Sequence, residues 1–343
     1  MPTCAIVSFR LGLSDGVSIV AASWARALNG FGFDVLTVAG EGPVDRLLPG
    51  LAIGASEPPS TGDLATALDD VDLVVVENLC TIPLNLPAAR VLGRFLSGRP
   101  AVMHHHDPPW QQVQYAHCTE LPLDDPAWRH VTINQLTRDE LAVRGISATT
   151  IYNGFDPDPP TGDREKTRET LDVVDAERLL IHPVRAIPRK NVPGAVRLAE
   201  ELNATYWLLG PAEDGYGAEL EAVLAHAACR VIHRPSPGDM RDAYAAADAV
   251  AFPSTWEGFG NPPIEAALHR RPVAVGDYPV ANELRSLGFE WFDPQYPPDL
   301  DRFLGDPDEA VLDRNQRIAV EYFSFDRMAG ALRALLDEAG WWP

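Results

Sequence analysis

One segment of the sequence combines glycines and prolines in an order that suits an anion-binding loop. Residues 253–267 read PSTWEGFGNPPIEAA. Gly258 and Gly260 allow the backbone to approach a ligand, because neither residue has a Cβ atom. Pro262 and Pro263 suit the first turn of a helix, where the missing N–H costs nothing. A helix that starts after such a loop presents N–H groups and the positive end of its dipole, which favour a bound phosphate.

Two carboxylates flank this loop: Glu257 lies within it, and Glu265 follows about one turn into the helix. Carboxylates accept hydrogen bonds from sugar hydroxyls, so the combination suits a ligand with both phosphate and hydroxyl groups. An ordinary strand–loop–helix connection with a solvated Glu265 is the alternative. It does not explain why the Glu-x7-Glu spacing coincides with the glycines and prolines.

The composition of the chain excludes several classes of function. The 343 residues carry a net charge of −21, which repels nucleic acid and anionic lipid, so we expect no nucleic-acid partner. Apolar residues make up 46% of the chain, but no apolar run reaches the roughly 18–20 residues of a membrane span, so we expect no integral membrane segment. The start of the chain shows no signal peptide, and the four cysteines lack CxxC spacing, which predicts a cytoplasmic protein with reduced thiols.

Short apolar runs alternate with segments of helical period, a pattern typical of parallel strands buried on both faces. The predicted strands are residues 4–9, 35–39, 73–77, 101–105, 131–133, 149–152, 179–183, 205–209, 231–233, 249–252, 273–275 and 290–292. The first helix is expected to start at a cap, Ser14 or Asp15. Residues 153–163, rich in proline and glycine, have the composition of a linker. The sequence therefore predicts two Rossmann-like, doubly wound α/β domains that face a central cleft.

Several segments, in chain order, resemble those of one enzyme family. Glu257 to Glu265 fit the pattern E-G-F-G-x-P-x-x-E, residues 152–156 (YNGFD) are similar to YNGVD, and residues 182–191 (HPVRAIPRKN) to GR-x4-KN. Residues 208–211 (LLGP) and 245–254 (AAADAVAFPS) also have counterparts. In these segments the chain resembles the retaining glycosyltransferases of family 4, which have the GT-B fold.

The resemblance implies a nucleotide-diphosphate sugar as donor substrate, with no cofactor and no metal. It divides the chain into an N-terminal domain (residues 1–155), a nucleotide-sugar domain (156–322) and a C-terminal helix (323–343) that crosses back to the N-terminal domain. It also implies that Arg185 and Lys190 clamp the donor diphosphate. A chain of net charge −21 must supply local cations for such an anion, although both residues could be ordinary surface cations.

The remaining site residues follow from the same resemblance. Glu257 is expected to bind the transferred sugar, and Glu265 the ribose. The other expected contacts are the N–H groups of Phe259, Gly260 and Asn261 to sugar or phosphate, His233 to the base, and Gly16 to a phosphate. His233 could equally be a surface histidine, and Gly16 part of an ordinary turn.

The sequence HHHD at residues 104–107 ends a predicted strand. Consecutive strand residues point to opposite faces, so His104 and His106 can share one face while His105 lies on the other. A metal site is the alternative that this run invites, but no further ligand cluster stands nearby in the sequence. The family resemblance places a histidine here facing the donor sugar, and we expect it to be His105, with His106 as second choice.

These residues predict retaining transfer of a hexose from a UDP-, GDP- or ADP-sugar to a hydroxyl of a small soluble acceptor. A GT-B sugar-nucleotide epimerase or phosphorylase, or a two-lobed binding protein without catalysis, remains as an alternative. Replacing Glu257 or Lys190 by Ala is expected to abolish transfer and to leave thermal stability nearly unchanged. The residues do not decide the oligomeric state.

Overall fold

The computed structural model describes residues 1–13 and 15–342 and divides into two compact units. The N-terminal unit comprises Met1–Gly154 and Phe325–Pro343, and the C-terminal unit comprises Phe155–Ser324. The boundary between Gly154 and Phe155 lies inside the proline- and glycine-rich segment 153–163. Ser14, one of the two predicted helix caps, lies outside the described residues.

The N-terminal unit is built on a parallel sheet, which in the described residues has seven strands in the order β3-β2-β1-β4-β5-β6-β7. The strands are β1 (Thr3–Arg10), β2 (Asp34–Glu41), β3 (Arg46–Leu47), β4 (Leu73–Glu77), β5 (Ala101–His105), β6 (Trp128–Thr132) and β7 (Ala148–Thr150). The helices between them are α1 (Gly16–Phe31), α2 (Thr61–Leu68), α3 (Leu86–Leu96) and α4 (Gln135–Val143). All five residues of β4 and all five of β5 are buried, as expected for central strands covered on both faces.

The C-terminal unit repeats this architecture with a smaller parallel sheet, in the order β10-β9-β8-β11-β12 within the described residues. The strands are β8 (Arg178–His182), β9 (Ala204–Leu208), β10 (Val231–His233), β11 (Ala249–Phe252) and β12 (Val273–Val275). The helices are α5 (Arg164–Thr170), α6 (Val192–Glu201), α7 (Gly217–Ala225), α8 (Met240–Ala246), α9 (Asn261–Leu268), α10 (Pro279–Ser286), α11 (Pro297–Gly305) and α12 (Glu309–Phe323).

The last helix, α13 (Phe325–Ala339), returns to the N-terminal unit and packs beside α1. Its buried side chains Leu332 and Leu336 join the same apolar core as Trp24 of α1. Helix α1 starts where the Asp15 carboxylate accepts a hydrogen bond from the Ser18 N–H at 3.3 Å. This helix cap is therefore Asp15.

One strand prediction is wrong, and one strand was missed. Residues 290–292 do not form a strand: they make an isolated bridge in which Phe292 pairs with Ala274, held by hydrogen bonds to Val273 and Val275 on either side. One such bridge is too short to propagate a ladder. The two-residue strand β3 was missed because so short an edge strand leaves no apolar alternation to detect.

The carboxyl ends of parallel strands share one edge of their sheet, where ligands of doubly wound proteins bind. In the N-terminal unit, Glu77 ends β4 and His105 ends the neighbouring β5. In the C-terminal unit, His182 ends β8 and Phe252 ends the neighbouring β11. Each unit therefore places polar side chains at such an edge.

Candidate functional site

The loop after β11 carries a buried carboxylate that is held by two cations. Glu257 is only 6% exposed. The Lys190 ammonium donates a hydrogen bond to its Oε1 at 2.6 Å, and the Arg189 guanidinium donates to its Oε2. Arg189 also donates to the Trp256 carbonyl at 2.9 Å, which fixes the loop on which Glu257 lies. Both cations come from the short turn Pro188–Lys190 that follows β8, so two neighbouring strand ends build the cluster.

The charges in this cluster are coupled. Burial raises the pKa of Glu257, but Lys190 and Arg189 more than offset this effect, so its pKa is lowered and the group is ionised. Burial lowers the pKa of Lys190, and the attraction of Glu257 only partly opposes that shift. His182 is fully buried, and burial followed by the charge of Lys190 lowers its pKa to about 3, so it is neutral. The cluster therefore carries two cations on one carboxylate.

Helix α9 starts at a glycine that the geometry requires. Gly260 has φ = +105°, in the left-handed region that other residues rarely adopt. A Cβ atom on Gly260 would lie 2.8 Å from the Tyr278 hydroxyl. Pro262 and Pro263 have no N–H, so they cannot donate to a ligand at this helix end. The amides that precede these prolines are those of Phe259, Gly260 and Asn261, the three that the sequence analysis names.

The second carboxylate of the Glu-x7-Glu pair has a different environment. Glu265 accepts a hydrogen bond from the Tyr244 hydroxyl at 2.6 Å. Burial raises the pKa of Glu265, and the bond from Tyr244 only partly offsets this shift. The two carboxylates therefore differ in character: Glu257 is neutralised by cations, whereas Glu265 accepts from a neutral hydroxyl on α8.

Arg185 and Lys190 do not share a partner in the structure. The Arg185 guanidinium pairs with Glu213 at 2.6 Å and is about one third exposed, whereas Lys190 faces Glu257. Arg185 is nevertheless close enough for its charge to lower the pKa of Lys190, after the larger effects of burial, Glu257 and Arg189. His233 is exposed at the end of β10, and its Nε2 atom lies 3.0 Å from the carbonyl oxygen of Gly210. It therefore lies beside the loop that follows β9.

The N-terminal unit contains a second buried polar cluster, built on a carboxylate that the sequence analysis did not single out. Glu77 is fully buried, and its Oε2 lies 2.9 Å from His104 Nδ1 and 2.7 Å from His106 Nε2. Burial raises the pKa of Glu77, and the two histidines more than reverse this effect, lowering it to about 2. His104 and His106 therefore share one face of β5 and its extension, as the alternation of strand residues predicts.

His105 lies on the opposite face. Its Nδ1 is 2.7 Å from the Thr81 hydroxyl, and its Nε2 is 2.9 Å from His130 Nδ1. His130 in turn has its Nε2 3.0 Å from Asp124. With both ring nitrogens bonded and no exposed surface, His105 does not face a ligand in this structure. This geometry favours His106, the second choice, over His105 as the residue that contacts a substrate.

Gly16 lies at the first position of α1, where a Cβ atom would meet nothing within 4 Å. No close approach within the described residues therefore requires a glycine there. The Asp15 carboxylate stands at the same helix end and also contacts Arg10 at 3.5 Å. A negative side chain there competes with a phosphate for the helix dipole.

Comparison with known proteins identifies the fold and the activity class. Residues 163–300 match the sequence profile of the family described as Glycosyl transferases group 1. The chain is 23% identical to the mannosylglucosylglycerate synthase of Petrotoga mobilis, over 83% of this chain and 85% of the relative, and 24% identical to that of Thermotoga maritima, over 84% and 83%. The crystal structure of Anabaena HepE in complex with UDP-glucose has the same fold, with a TM-score of 0.77, 21% identity and coverage of 98% and 99%. These findings show the GT-B fold and support the resemblance to the glycosyltransferases of family 4.

The predicted fold class and the family resemblance are thus confirmed. Among the described residues of this glycosyltransferase, no helix is both long enough and apolar enough to cross a membrane. The matched residues 163–300 contain the Glu257 cluster and the hydrogen bond between Tyr244 and Glu265. The second polar cluster, formed by Glu77, His104 and His106, lies outside this range.

Three polar contacts of the glycosyltransferase escaped the sequence analysis. Arg189 stands beside Lys190 in the sequence, and this adjacency could have indicated that it belongs to the same site. Glu77 ends an otherwise apolar strand, which is an unusual place for an acid unless it has partners. Tyr244, 21 residues before Glu265, left no local signal, because only the packing of α8 against α9 brings the two together.

Proposed function

We propose that this glycosyltransferase is a retaining enzyme that moves a hexose from a nucleotide-diphosphate sugar to a hydroxyl of a small soluble acceptor. The observation that carries the proposal is the convergence of Arg189 and Lys190 on the buried Glu257 beside the glycine start of α9. This arrangement provides cations and amides for a diphosphate and a carboxylate for sugar hydroxyls.

The proposed reaction breaks the bond between the sugar C1 and the phosphate oxygen, and the electron pair leaves with the diphosphate. The acceptor oxygen bonds to C1 on the same face, and its proton passes to the departing phosphate. Lys190 has three N–H bonds, so it can donate to Glu257 and to a phosphate together, and Arg185 has donors beyond the one that binds Glu213. These cations stabilise the charge of the leaving group, so the proposal assigns that role to no metal ion. Because the acceptor itself attacks the same face of C1, the proposal includes no enzymatic nucleophile.

Relatives support the choice of substrates. HepE is known in complex with UDP-glucose, and two relatives over most of the chain are named mannosylglucosylglycerate synthase. We therefore propose a UDP-, GDP- or ADP-hexose as donor and a small hydroxylated acceptor. In the N-terminal unit, the strand-end residue that we assign to substrate is His106, because His105 is enclosed.

A screen for donor and acceptor tests this function. Thermal unfolding is measured with UDP, GDP and ADP, and one of them is expected to raise the midpoint, because ligand binding to the folded state stabilises it. The matching hexose donor is then incubated with and without small sugar acceptors, and the products are separated. Transfer to an acceptor supports the proposal, whereas conversion of the donor sugar alone identifies an epimerase, and phosphate-dependent cleavage identifies a phosphorylase. Binding without turnover under all these conditions contradicts the proposed catalysis.

Replacing Tyr244 by Phe tests the assignment of Glu265 to the ribose. The change removes the hydrogen bond that opposes the burial effect, so the pKa of Glu265 rises further. A protonated carboxyl loses acceptor capacity for two hydroxyls. Nucleotide affinity is expected to fall about 3- to 10-fold, and its acid limb to move to higher pH. Calorimetric titration across pH measures both effects, with the exposed Tyr296→Phe as control. An unmoved acid limb contradicts the assignment.

A further inference from the structure

The second polar cluster, formed by Glu77, His104 and His106, contains a buried carboxylate whose charge needs a partner. Glu77 has no exposed surface, and its Oε2 lies 2.9 Å from His104 Nδ1 and 2.7 Å from His106 Nε2, so that both rings can donate to an ionised carboxylate. The two histidines more than offset the effect of burial, so the pKa of Glu77 is lowered. A buried carboxylate with only neutral neighbours is strongly unfavourable, because no water solvates it. A compensating proton must therefore reside on His104 or on His106.

Hydrogen bonding places this proton. A carboxylate only accepts, so His104 donates through Nδ1 and His106 donates through Nε2. A second proton on His104 would have to sit on Nε2, which is buried and has no partner among the described residues, and the His104 ring stacks on Trp24 at 4.1 Å. Burial also lowers the pKa of His104, despite the opposing attraction of Glu77. His104 is therefore the neutral Nδ1–H tautomer.

His106 is the residue that can carry the charge. Its side chain keeps 6% exposure, and its Nδ1 has no hydrogen-bond partner within residues 1–13 and 15–342, so a proton on Nδ1 is accessible to solvent or to a ligand. The backbone of His106 is fixed as well: its N–H donates to the Asn78 side chain at 3.2 Å, and the same Asn78 oxygen accepts from the Asp107 N–H. Asn78 thus fixes the backbone that carries the ring, and Glu77 binds the ring itself.

A metal ion is the competing explanation, because the ligand atoms of Glu77, His104 and His106 lie within 4.8 Å of one another. Ligands around a tetrahedral zinc ion stand about 3.3 Å apart, given metal–nitrogen bonds of about 2.0 Å. Here the carboxylate oxygen lies 2.7 and 2.9 Å from the two ring nitrogens, which are the distances of direct hydrogen bonds. Direct hydrogen bonds therefore join the three side chains, without a metal ion between them.

We infer that Glu77 is a positioning residue that holds His106 as an imidazolium, with its Nδ1–H presented to a negatively charged oxygen of the substrate. This inference rests on the proposed function for the identity of the substrate, but the charge of His106 can be measured without it. The groups that surround His106 are Glu77, His104 and, through Asn78, Asp107. Among the residues that the structure describes, Glu77 alone makes a charged hydrogen bond to its ring.

Ring ¹⁵N NMR of the full chain tests the charge directly. The chain has nine histidines, and the signals of His106 are assigned by their loss in His106→Asn. At pH 7, the ring of His106 is expected to show the two similar shifts of an imidazolium, and in Glu77→Gln the two separate shifts of a neutral ring. A neutral His106 in the unmodified protein overturns the inference. If added zinc shifts the signals of both histidines at stoichiometric concentration, the cluster is a metal site and the inference also fails.

Kinetics then tests the role. Glu77→Gln is expected to lower kcat about 10²-fold with KM for the donor changed by less than about threefold, because the charge acts on the transition state. His106→Asn is expected to lower kcat by the same factor. The double variant Glu77→Gln/His106→Asn is expected to show no further loss, since the two residues act as a unit. The matched control is Asp124→Asn, which removes the half-exposed carboxylate beside His130 on the other face and is expected to leave kcat within about twofold.

Additive losses in the double variant, or an unchanged kcat in both single variants, overturn the positioning role. If the unmodified protein transfers no sugar at all, the proposed function fails, while the NMR result still decides the charge of His106.

Discussion

Replacing Lys190 by Met is expected to lower kcat/KM for transfer about 10³-fold, the largest effect of any single change considered. The ammonium is the buried cation of the Glu257 cluster, with only 11% of its side chain exposed. A charged donor in such a site stabilises a departing diphosphate far better than one in water. Met fills similar space without the charge, so the loss reflects electrostatics rather than a cavity. Steady-state kinetics at a temperature where both proteins are folded measures the effect.

The chain offers a matched control, because Lys166 is its only other lysine and is exposed on α5. Lys166→Met is expected to leave kcat/KM within about twofold. Lys190→Met also leaves the buried Glu257 with Arg189 alone, so stability should fall by about 1–3 kcal/mol. The expectation from the sequence that stability would stay nearly unchanged is therefore revised, since it treated the cluster as solvated.

A double variant separates the two effects. Lys190→Met combined with Glu257→Gln removes both charges, so much of the stability lost in Lys190→Met should return. Transfer should not return, because both the cation for the phosphate and the carboxylate for the sugar are gone. Recovery of transfer together with stability would show that the pair has only a structural role.

Replacing Gly260 by Ala is expected to lower transfer about 10²-fold and stability by about 1–3 kcal/mol. Alanine is strained at φ = +105°, and its Cβ would lie 2.8 Å from the Tyr278 hydroxyl and 3.4 Å from the Phe252 ring. Relief of this contact requires the loop to move, which reorients the amides that start α9. Chemical denaturation and steady-state kinetics measure the two effects.

The control for this change is Gly217→Ala at the first position of α7, where a Cβ atom meets nothing within 4 Å. Its backbone is helical, so alanine should leave stability unchanged or raise it by about 0.5 kcal/mol. Transfer should stay at its original rate. If Gly260→Ala behaves like Gly217→Ala, the start of α9 does not contact the donor.

Strands were predictable because their signal is local. Residues 73–77, 101–105 and 249–252 were predicted with the bounds that the structure shows, since buried parallel strands are continuous apolar runs between helical segments. The bridge at Phe292 was predicted as a strand for the same reason. Its apolar residues Trp291 and Phe292 are only half-buried, and only Phe292 pairs with the sheet.

The site was predictable only where its residues are close in sequence. Glu257, Gly260 and Glu265 share one loop and helix, so their types and spacing pointed to the site. The pairing of Tyr244 with Glu265 and the enclosure of His105 by Thr81 and His130 depend on contacts between separate elements. No spacing in the sequence encodes these contacts, which is why His105 was preferred to His106.

Calorimetric binding of a nucleoside diphosphate, compared with its nucleoside, shows whether Lys190 holds the diphosphate. The unmodified chain, Lys166→Met and Lys190→Met are titrated with UDP and uridine, or with the pair whose diphosphate gave the largest thermal shift. We expect Lys190→Met to bind the diphosphate about 30-fold more weakly, a loss of about 2 kcal/mol, and to bind the nucleoside unchanged. Equal affinity of all three proteins for the diphosphate would contradict the account, because the diphosphate would then bind somewhere other than beside Lys190 and the start of α9.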